Sequence, residues 1–315
     1  MEEAEFIWMN GEFVPWHNAK IHVLTHGLHY GTSVFEGIRA YETDSGSAVF
    51  RHREHLERLH ESAGMFHMDI PYSVEEMQSA TRELIKRNGL KHCYIRPIAM
   101  RGYGIMGLNP LEAPVDVAIA VWPWGAYLGE EGKTKGIRAK VSSWRRFGND
   151  ALIAHAKTSG QYLNSVLAKI ETLKAGYDEA ILLDGHGGVS EGSGENIFVV
   201  RNGHIVEPPP TASVLDGITR RTIHDLAADV GLQIESRNIA RAELYLADEV
   251  FMTGTAAEVV PVCEIDDRPV GAGVPGPITA QLQKLYDDTV HGRNPLHMDW
   301  LDPIDQADAV SPGSA

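Results

Sequence analysis

Ala154-His155-Ala156-Lys157-Thr158-Ser159-Gly160-Gln161-Tyr162-Leu163-Asn164-Ser165 is the stretch from which the rest of the chain can be read. Before it a strand-like run spans Gly136 to Trp144, and Gly148-Asn149-Asp150 turns the chain. After it Tyr162, Leu163, Val166, Leu167, Ile170 and Leu173 recur at helical spacing, with Gly176 as the stop. Thr158 and Ser159 are N-cap residues by type, because a short hydroxyl can accept from an early helical N–H. Lys157 is therefore expected where a loop feeds a helix, among small uncharged residues apart from His155. An amine in such a place can lose its proton more easily than a surface lysine and can condense with a carbonyl. A lysine taken alone is usually a solvated surface group, so residues further along the chain decide.

Composition narrows the classes. The 315 residues, 43% of them hydrophobic, suffice for one large domain or two ordinary ones. Against 28 Lys and Arg stand 43 Asp and Glu, a net charge of −15, which argues against a nucleic-acid or anionic-membrane partner. An anionic ligand must then be held by a local site. Cys93 and Cys263 have neither metal-ligand spacing nor a disulfide framework. Met1-Glu-Glu-Ala-Glu5 lacks the basic and apolar regions of a signal peptide. The most apolar run, Val115 to Leu128, is broken by Asp116 and Pro123 and is shorter than the ~20 residues of a membrane helix. The expectation is a soluble, cytoplasmic protein without nucleic-acid or membrane partners.

Along the chain, Asn10-Gly11 between two short apolar runs signals a hairpin. In His26 to Tyr41 the second half reads as a strand that turns at Asp44-Ser-Gly46 into Ala48-Val-Phe50. Tyr30 and Phe35 there, with Gly31 and Gly37, fit a lined pocket as well as an ordinary core. His52 to His60 opens a helix with Leu56, Leu59, Ala63 and Phe66 on one face; its histidines lack the HExxH pattern, and no metal is expected. Ser73-Val-Glu-Glu76 is a capping box for a helix running to Asn88-Gly89. Strands are expected at Cys93 to Ile98 and Val115 to Val121. Residues 1–122 thus form a small α+β domain, 123–132 a connection rich in glycine and aromatics, 133–292 a larger domain, and 293–315 a polar tail anchored at Trp300-Leu301. In the larger domain Glu179 to Asp184 is a buried strand, and Ile197 to Val206 a hairpin at Asn202-Gly203. A helix opens at Leu215-Asp-Gly-Ile-Thr-Arg220 and ends at Gly231. Glu249 to Thr253 is a strand, and the last helix runs from about Pro277 to Val290.

Three features join Lys157. Glu191, among glycines in a strand-to-strand turn, could hold a carboxylate against a buried pyridinium nitrogen, although an exposed turn glutamate fits that pattern too. Gly217-Ile218-Thr219 begins a helix whose unpaired N–H groups and dipole can receive a phosphate. Thr255 lies just past a strand end and could serve the same phosphate, with Arg58 as counter-charge. A reactive lysine, a carboxylate and a divided phosphate cradle are the set that pyridoxal 5'-phosphate needs.

At this point the sequence resembles the fold-type IV pyridoxal-phosphate enzymes, specifically the branched-chain amino acid aminotransferases. The carriers are His29-Tyr30-Gly-Thr-Ser-Val-Phe35-Glu-Gly37-Ile-Arg39, Tyr94-Ile95-Arg96-Pro97, Trp124-Gly-Ala-Tyr127, Lys157-Thr-Ser-Gly-Gln-Tyr162, Ser190-Glu191-Gly-Ser-Gly-Glu-Asn196, Leu215-Asp-Gly-Ile-Thr219-Arg and Gly254-Thr255-Ala256-Ala257-Glu258. The resemblance implies a two-domain α+β fold whose larger domain is mixed and β-barrel-like with helices. It implies that Lys157 bonds to the cofactor aldehyde and then moves the proton between substrate Cα and cofactor C4′. Glu191 would pair with the pyridine nitrogen and Tyr162 with the phenolic oxygen. Arg58, Ile218, Thr219 and Thr255 would hold the phosphate, with Leu215 and Gly217 in the same turn. Thr255 and Ala256, with Tyr94, would take the substrate carboxylate. Tyr30, Phe35, Gly37, Trp124 and Tyr127 would line the side-chain pocket, partly from a neighbouring subunit, since the family forms homodimers or larger assemblies. Substrates would be the L-amino acids leucine, isoleucine and valine with 2-oxoglutarate, giving branched 2-oxo acids and glutamate. A guanidinium is needed at the pocket rim for glutamate, Arg96 first and Arg101 of the glycine-rich loop second. The alternatives are a D-amino acid or R-amine transaminase, an aminodeoxychorismate lyase, or a phosphate-ligand-binding protein in which Lys157 is only a counter-ion.

Overall fold

The computed structural model describes residues 2–125 and 128–305. The described residues fall into two compact units, one from 2–27, 35–124 and 289–305, the other from 28–34, 125 and 128–288.

In the first unit the Asn-Gly hairpin forms as its sequence dictates. Asn10 and Gly11 both take positive φ, 49° and 93°, which matches the twist of Phe6–Met9 and Glu12–Pro15. These strands lie at one end of an antiparallel sheet ordered Leu301–Pro303, Gly46–Phe50, Ile38–Thr43, Cys93–Arg101, Val115–Trp122, Phe6–Met9, Glu12–Pro15. The tail strand pairs Leu301 with Phe50, while Trp300 receives the Arg51 guanidinium on its ring, 3.7 Å from the centroid.

Two helices, His52–Gly64 and Val74–Arg87, complete this unit. The capping box is formed in both directions: Ser73 accepts from Glu76 N–H, and Glu76 accepts from Ser73 N–H. The helix packs on Phe6–Met9 and Val115–Trp122 and buries Met77, Leu84 and Ile85. Each such fully buried side chain contributes about 1.5–3 kcal/mol. His52 and His55 face different carboxylates, Asp302 at 2.6 Å and Glu36 at 2.8 Å. Among the described residues no cluster of three His, Cys, Asp or Glu could hold a metal ion, and no helix is long and apolar enough to cross a membrane.

The second unit is a mixed sheet ordered Val189–Gly192, Glu179–Leu183, Ile137–Arg145, Glu258–Ile265, Glu249–Gly254, Asn196–Arg201, His204–Glu207, Ile234–Ser236. Helices Tyr162–Lys174 and Ile218–Asp229 are crossovers between parallel neighbours. The outermost strands are brought together: Gly188 bridges Ala240, and Val189 N–H donates to Ile239 O at 2.8 Å, so the sheet curls into a barrel-like form. The strand Glu179–Leu183 shows the period of two that this requires. Ile181 and Leu183 join Val141, Ile197, Val250 and Val260 inside the barrel, whereas Ala180 and Leu182 face outward against Ala168. Helix Tyr162–Lys174 therefore docks through Ser165, Ala168 and Thr172. Its apolar stripe, Leu163, Val166, Ile170 and Leu173, points away from the sheet and is 47–65% exposed.

Candidate active site

Lys157 sits where the first stretch placed it, two residues ahead of the chain's return into helix at Ser159. The loop after Ile137–Arg145 runs to a 3-10 turn, Ser159–Gln161, and then to helix Tyr162–Lys174. The expected hydroxyl cap is absent. Thr158 takes an extended conformation and caps no N–H with its side chain, and Ser159 already lies within the 3-10 turn. What fixes this corner is main chain. Val34 bridges Thr158, Gly160 N–H donates to Gly31 O at 3.3 Å, and a Cβ on Gly31 would meet Gly160 Cα at 2.7 Å. Gly31 also needs its φ of +67°. Lys157 is half-buried and reaches across the turn to Tyr162, with Nζ 2.5 Å from Oη. Tyr30, next to the Gly31 contact, is 41% exposed.

Glu191 is neither in a turn nor exposed. It lies within the strand Val189–Gly192, 6% exposed. The glycine-rich signal belongs to the tight return Ser193-Gly194 that follows. Both carboxylate oxygens are held: Oε1 by Arg146 Nη2 at 2.8 Å, Oε2 by Leu215 N–H at 2.9 Å and Asn196 Nδ2 at 3.3 Å. Arg146 also donates from Nε to Ser213 O at 3.2 Å. Lys157, Tyr162, Glu191, Asn196, Leu215 and Arg146 line one pocket.

The turn Leu215-Asp216-Gly217 leads from this pocket into helix Ile218–Asp229, whose N-cap Gly217 supplies no side-chain acceptor. The first-turn N–H groups of Ile218 and Thr219 are therefore not capped by a side chain. Asp216 is paired with Arg220 and Arg221, at 3.1 and 2.8 Å, which fixes the turn. The turn Thr255-Ala256-Ala257 joins strands that pair Gly254 with Glu258. It lies beside the Ser193–Glu195 return, since a Cβ on Gly254 would stand 3.3 Å from Gly194 O. Lys157, Tyr162, Glu191, Leu215, Gly217, Ile218, Thr219, Thr255 and Ala256 all belong to this second unit.

Phe35, Gly37, Arg58, Tyr94, Arg96 and Trp124 belong to the first unit. Arg58 makes a bidentate pair with Glu36 at 2.7 and 2.8 Å, and His55 holds the same carboxylate. Burial would raise the Glu36 carboxyl, yet Arg58 and His55 hold it well below the usual carboxylate range. Tyr94 lies between Trp122 and Trp124, with ring centroids 5.1 and 4.7 Å away. The Arg96 guanidinium stacks over Phe35 at 4.8 Å and Tyr94 at 5.4 Å. Arg101 is not a rim residue. It is buried, and its guanidinium donates to the carbonyls of His67, Leu111 and Ala113. Tyr127 lies outside the described residues.

Sequence reasoning missed Arg146, Glu36 and the specific work of Asn196. Arg146 is the second of two adjacent arginines just past a strand, and nothing in that dipeptide says which one turns inward. Glu36 sits between Phe35 and Gly37, where its aromatic and glycine neighbours drew the reading.

Comparison with known proteins matches this arrangement to a named family. Residues 33–265 match the class IV amino-transferases. The branched-chain-amino-acid aminotransferase of Escherichia coli (strain K12) is 46% identical over 306 residues, 97% of this chain and 99% of that protein. A T.th. branched-chain amino acid aminotransferase with pyridoxamine 5'-phosphate superposes with a TM-score of 0.94 at 50% identity, covering 97% of this chain and 100% of that one. The T.th. enzyme complexed with N-(5'-phosphopyridoxyl)-L-glutamate gives 0.92 at 49% identity, with the same coverage. With nearly every residue aligned and the curled fold-type IV sheet in common, this chain belongs to the class IV aminotransferases and, among them, to the branched-chain-amino-acid aminotransferase family.

Proposed function

We propose that this aminotransferase moves the amino group of leucine, isoleucine or valine to 2-oxoglutarate with pyridoxal 5'-phosphate, giving branched 2-oxo acids and L-glutamate. The observation that carries the reading is the 2.5 Å contact of Lys157 Nζ with Tyr162 Oη in the pocket that holds ion-paired Glu191. When bound, pyridoxal phosphate supplies an aldehyde to accept the amino group and a ring that draws electrons from the substrate Cα–H bond.

The residues present fit that group. Lys157 would offer the amine to bond to the aldehyde and, once released, would be the base to move the proton between Cα and C4′. The Tyr162 hydroxyl would hydrogen-bond the phenolic oxygen, and Glu191 would offer a fixed carboxylate to the ring nitrogen. Ile218 and Thr219 give a helix N-terminus without a side-chain cap, suited to a phosphate, with Leu215 and Gly217 shaping the approach and Thr255 adding a hydroxyl. Backbone groups at Thr255 and Ala256 suit the substrate carboxylate. In the first unit Arg58 brings a guanidinium suited to phosphate. Phe35, Tyr94 and Trp124, with Gly37, bring the apolar surface a branched side chain needs. Tyr30 and Tyr127 belong to the same reading. The L-glutamate carried by the T.th. phosphopyridoxyl adduct supports the second half of the exchange.

A homodimer or larger homo-oligomer is part of this reading. Leu163, Val166, Ile170 and Leu173 form one exposed apolar stripe along a helix, a surface that a second copy would cover.

The test is single-turnover reaction of the purified holoenzyme with a panel of L- and D-amino acids and amines, with mass detection of the 2-oxo acid. Leucine, isoleucine, valine and glutamate should react, and D-amino acids and amines should not. Lys157→Ala should lose steady-state turnover while still binding the cofactor non-covalently. Turnover at the wild-type rate in that variant overturns the role of Lys157.

A further inference from the structure

We infer that Arg146 is a positioning residue of the transamination, acting through Glu191 on the cofactor's ring nitrogen. The inference rests on the proposed role of Glu191.

The three contacts on Glu191 are of two kinds. Leu215 N–H and Asn196 Nδ2 are neutral donors to Oε2, at 2.9 and 3.3 Å. They set the direction of the carboxylate but bring no charge. Arg146 Nη2, at 2.8 Å from Oε1, is a cation on a buried carboxylate. Both side chains are 8% exposed, so little solvent screens the pair. The guanidinium adds a directed, charged donor on Oε1 opposite the two neutral donors on Oε2, and a carboxylate held in this way gives a pyridinium N–H an ion-paired hydrogen bond, stronger than the bond a neutral acceptor gives.

Arg146 is itself fixed. Its N–H donates to Leu183 O at 2.8 Å, its Nε to Ser213 O at 3.2 Å, and its guanidinium covers the Phe147 ring at 4.3 Å. Ser213 lies two residues before Leu215, whose own N–H reaches Glu191. The guanidinium thus joins the end of the strand Ile137–Arg145 to the segment that leads into the proposed phosphate turn. Adjacent Arg145 lacks this role: its carbonyl accepts from Asn164 Nδ2, and its side chain is exposed.

The experiment compares binding of two cofactors, so its readout does not need activity. Pyridoxal 5'-phosphate and its 1-deaza analogue, in which the ring nitrogen is replaced by C–H, are titrated against apoenzyme by fluorescence. Wild type should prefer the natural cofactor. Arg146→Met, which keeps the aliphatic bulk, should cut that preference about tenfold, the effect of losing roughly 1.4 kcal/mol of charged hydrogen bonding. Arg146→Lys should restore most of it, and the preference should vanish in Glu191→Gln. A second readout is proton release from the substrate Cα: Arg146→Met should slow it with the natural cofactor and leave it unchanged with the deaza analogue. If Arg146→Met fails to fold, Arg146→Gln, which can still donate to Ser213 O, carries the comparison.

If Glu191→Gln loses the preference and Arg146→Met keeps it, Arg146 has only a packing role and the inference is overturned while Glu191 stands. Equal losses with both cofactors in Arg146→Met overturn it as well. If Glu191→Gln keeps the preference, the proposed role of Glu191 fails, and this inference with it.

Discussion

The Tyr94 hydroxyl occupies the space that a side chain at Gly37 would need: a Cβ on Gly37 would stand 1.9 Å from Tyr94 Oη. The backbone cannot yield easily, because Ile38↔Ile95 and Arg39↔Tyr94 are paired in the sheet immediately beyond. Tyr94 cannot yield easily either, being set between Trp122 and Trp124. Gly37→Ala is therefore expected to turn the Tyr94 ring out of place. Overpacking of this kind costs about 1–3 kcal/mol, which corresponds to about a five- to more than a hundredfold rise in KM if it falls on substrate binding. Steady-state kinetics with leucine would read it, with a thermal melt to confirm folding. An unchanged KM in a folded variant would remove Tyr94 from the substrate site.

A second close approach bears on the cofactor. A Cβ on Gly217 would stand 2.0 Å from Asn196 Oδ1, although φ at Gly217 is −71° and any residue could adopt it. The glycine is needed for space alone. Asn196 Nδ2 bonds both Leu215 O and Glu191, so moving Asn196 disturbs the proposed phosphate turn and the carboxylate together. Gly217→Ala should weaken binding of pyridoxal phosphate by at least tenfold in equilibrium dialysis. It should lower the melting temperature of the apoenzyme by only a few degrees. Wild-type cofactor affinity in this variant would show that the helix start can shift without consequence.

The pH dependence of stability should carry the mark of Glu195. This residue is buried and lines the pocket, with one backbone donor, Gly194 N–H at 3.1 Å. Its neighbour Glu179 is fully buried and paired with Lys169 at 2.6 Å. Burial first, and the Glu179 carboxylate second, push the Glu195 acid from 4.5 up to about 8, against the pull of Lys169. The folded state therefore keeps a proton that the unfolded chain has released. Its stabilising effect is complete below 4.5 and is lost as pH rises to about 8. Glu195→Gln should melt like wild type in acid and several degrees higher than wild type at pH 9. Parallel melting curves for the two proteins across that range would show that Glu195 does not hold its proton.

Much of this was legible in the chain because local chemistry and tertiary structure agree. Asn10-Gly11, Asn202-Gly203 and the Ser73–Glu76 capping box need only near neighbours, and each forms as expected. The periodic stretch Tyr162 to Leu173 is a helix, but periodicity could not say which face meets the sheet. The small residues Ser165, Ala168 and Thr172 dock, and the large apolar ones face outward. Small residues let a helix approach a strand closely, and large apolar ones serve a partner as well as a core. Glu191 read as a turn residue because its glycines are real; the return simply begins two residues later. Its partners lie 45 positions earlier, at Arg146, and 24 later, at Leu215, and no local pattern encodes such distances.

On the proposed function, the hardest task of the site is to accept an alkyl side chain and the glutamate γ-carboxylate in turn. A guanidinium buried without a partner is a costly neighbour for leucine, so the charge must rest somewhere tolerable when no carboxylate is present. Arg96 has such a rest. Its guanidinium lies over the faces of Phe35 and Tyr94, where cation–π attraction gives about 0.5–2 kcal/mol. No acidic side chain among the described residues forms an ion pair with it, and its Nε has no hydrogen-bond partner. Arg101 has the opposite character, being bound to three backbone carbonyls. Arg96→Ala should therefore impair the glutamate half-reaction at least tenfold more than the leucine one, as losing a charged hydrogen bond of about 1.5–3 kcal/mol requires. Arg101→Ala should instead lower the melting temperature and impair both substrates alike. The measurement is single-turnover loss of the bound cofactor's absorbance with each amino acid in turn. Equal losses for leucine and glutamate in Arg96→Ala would assign Arg96 to the shared α-carboxylate or to the sheet. No loss for either would leave the γ-carboxylate to a residue of another element.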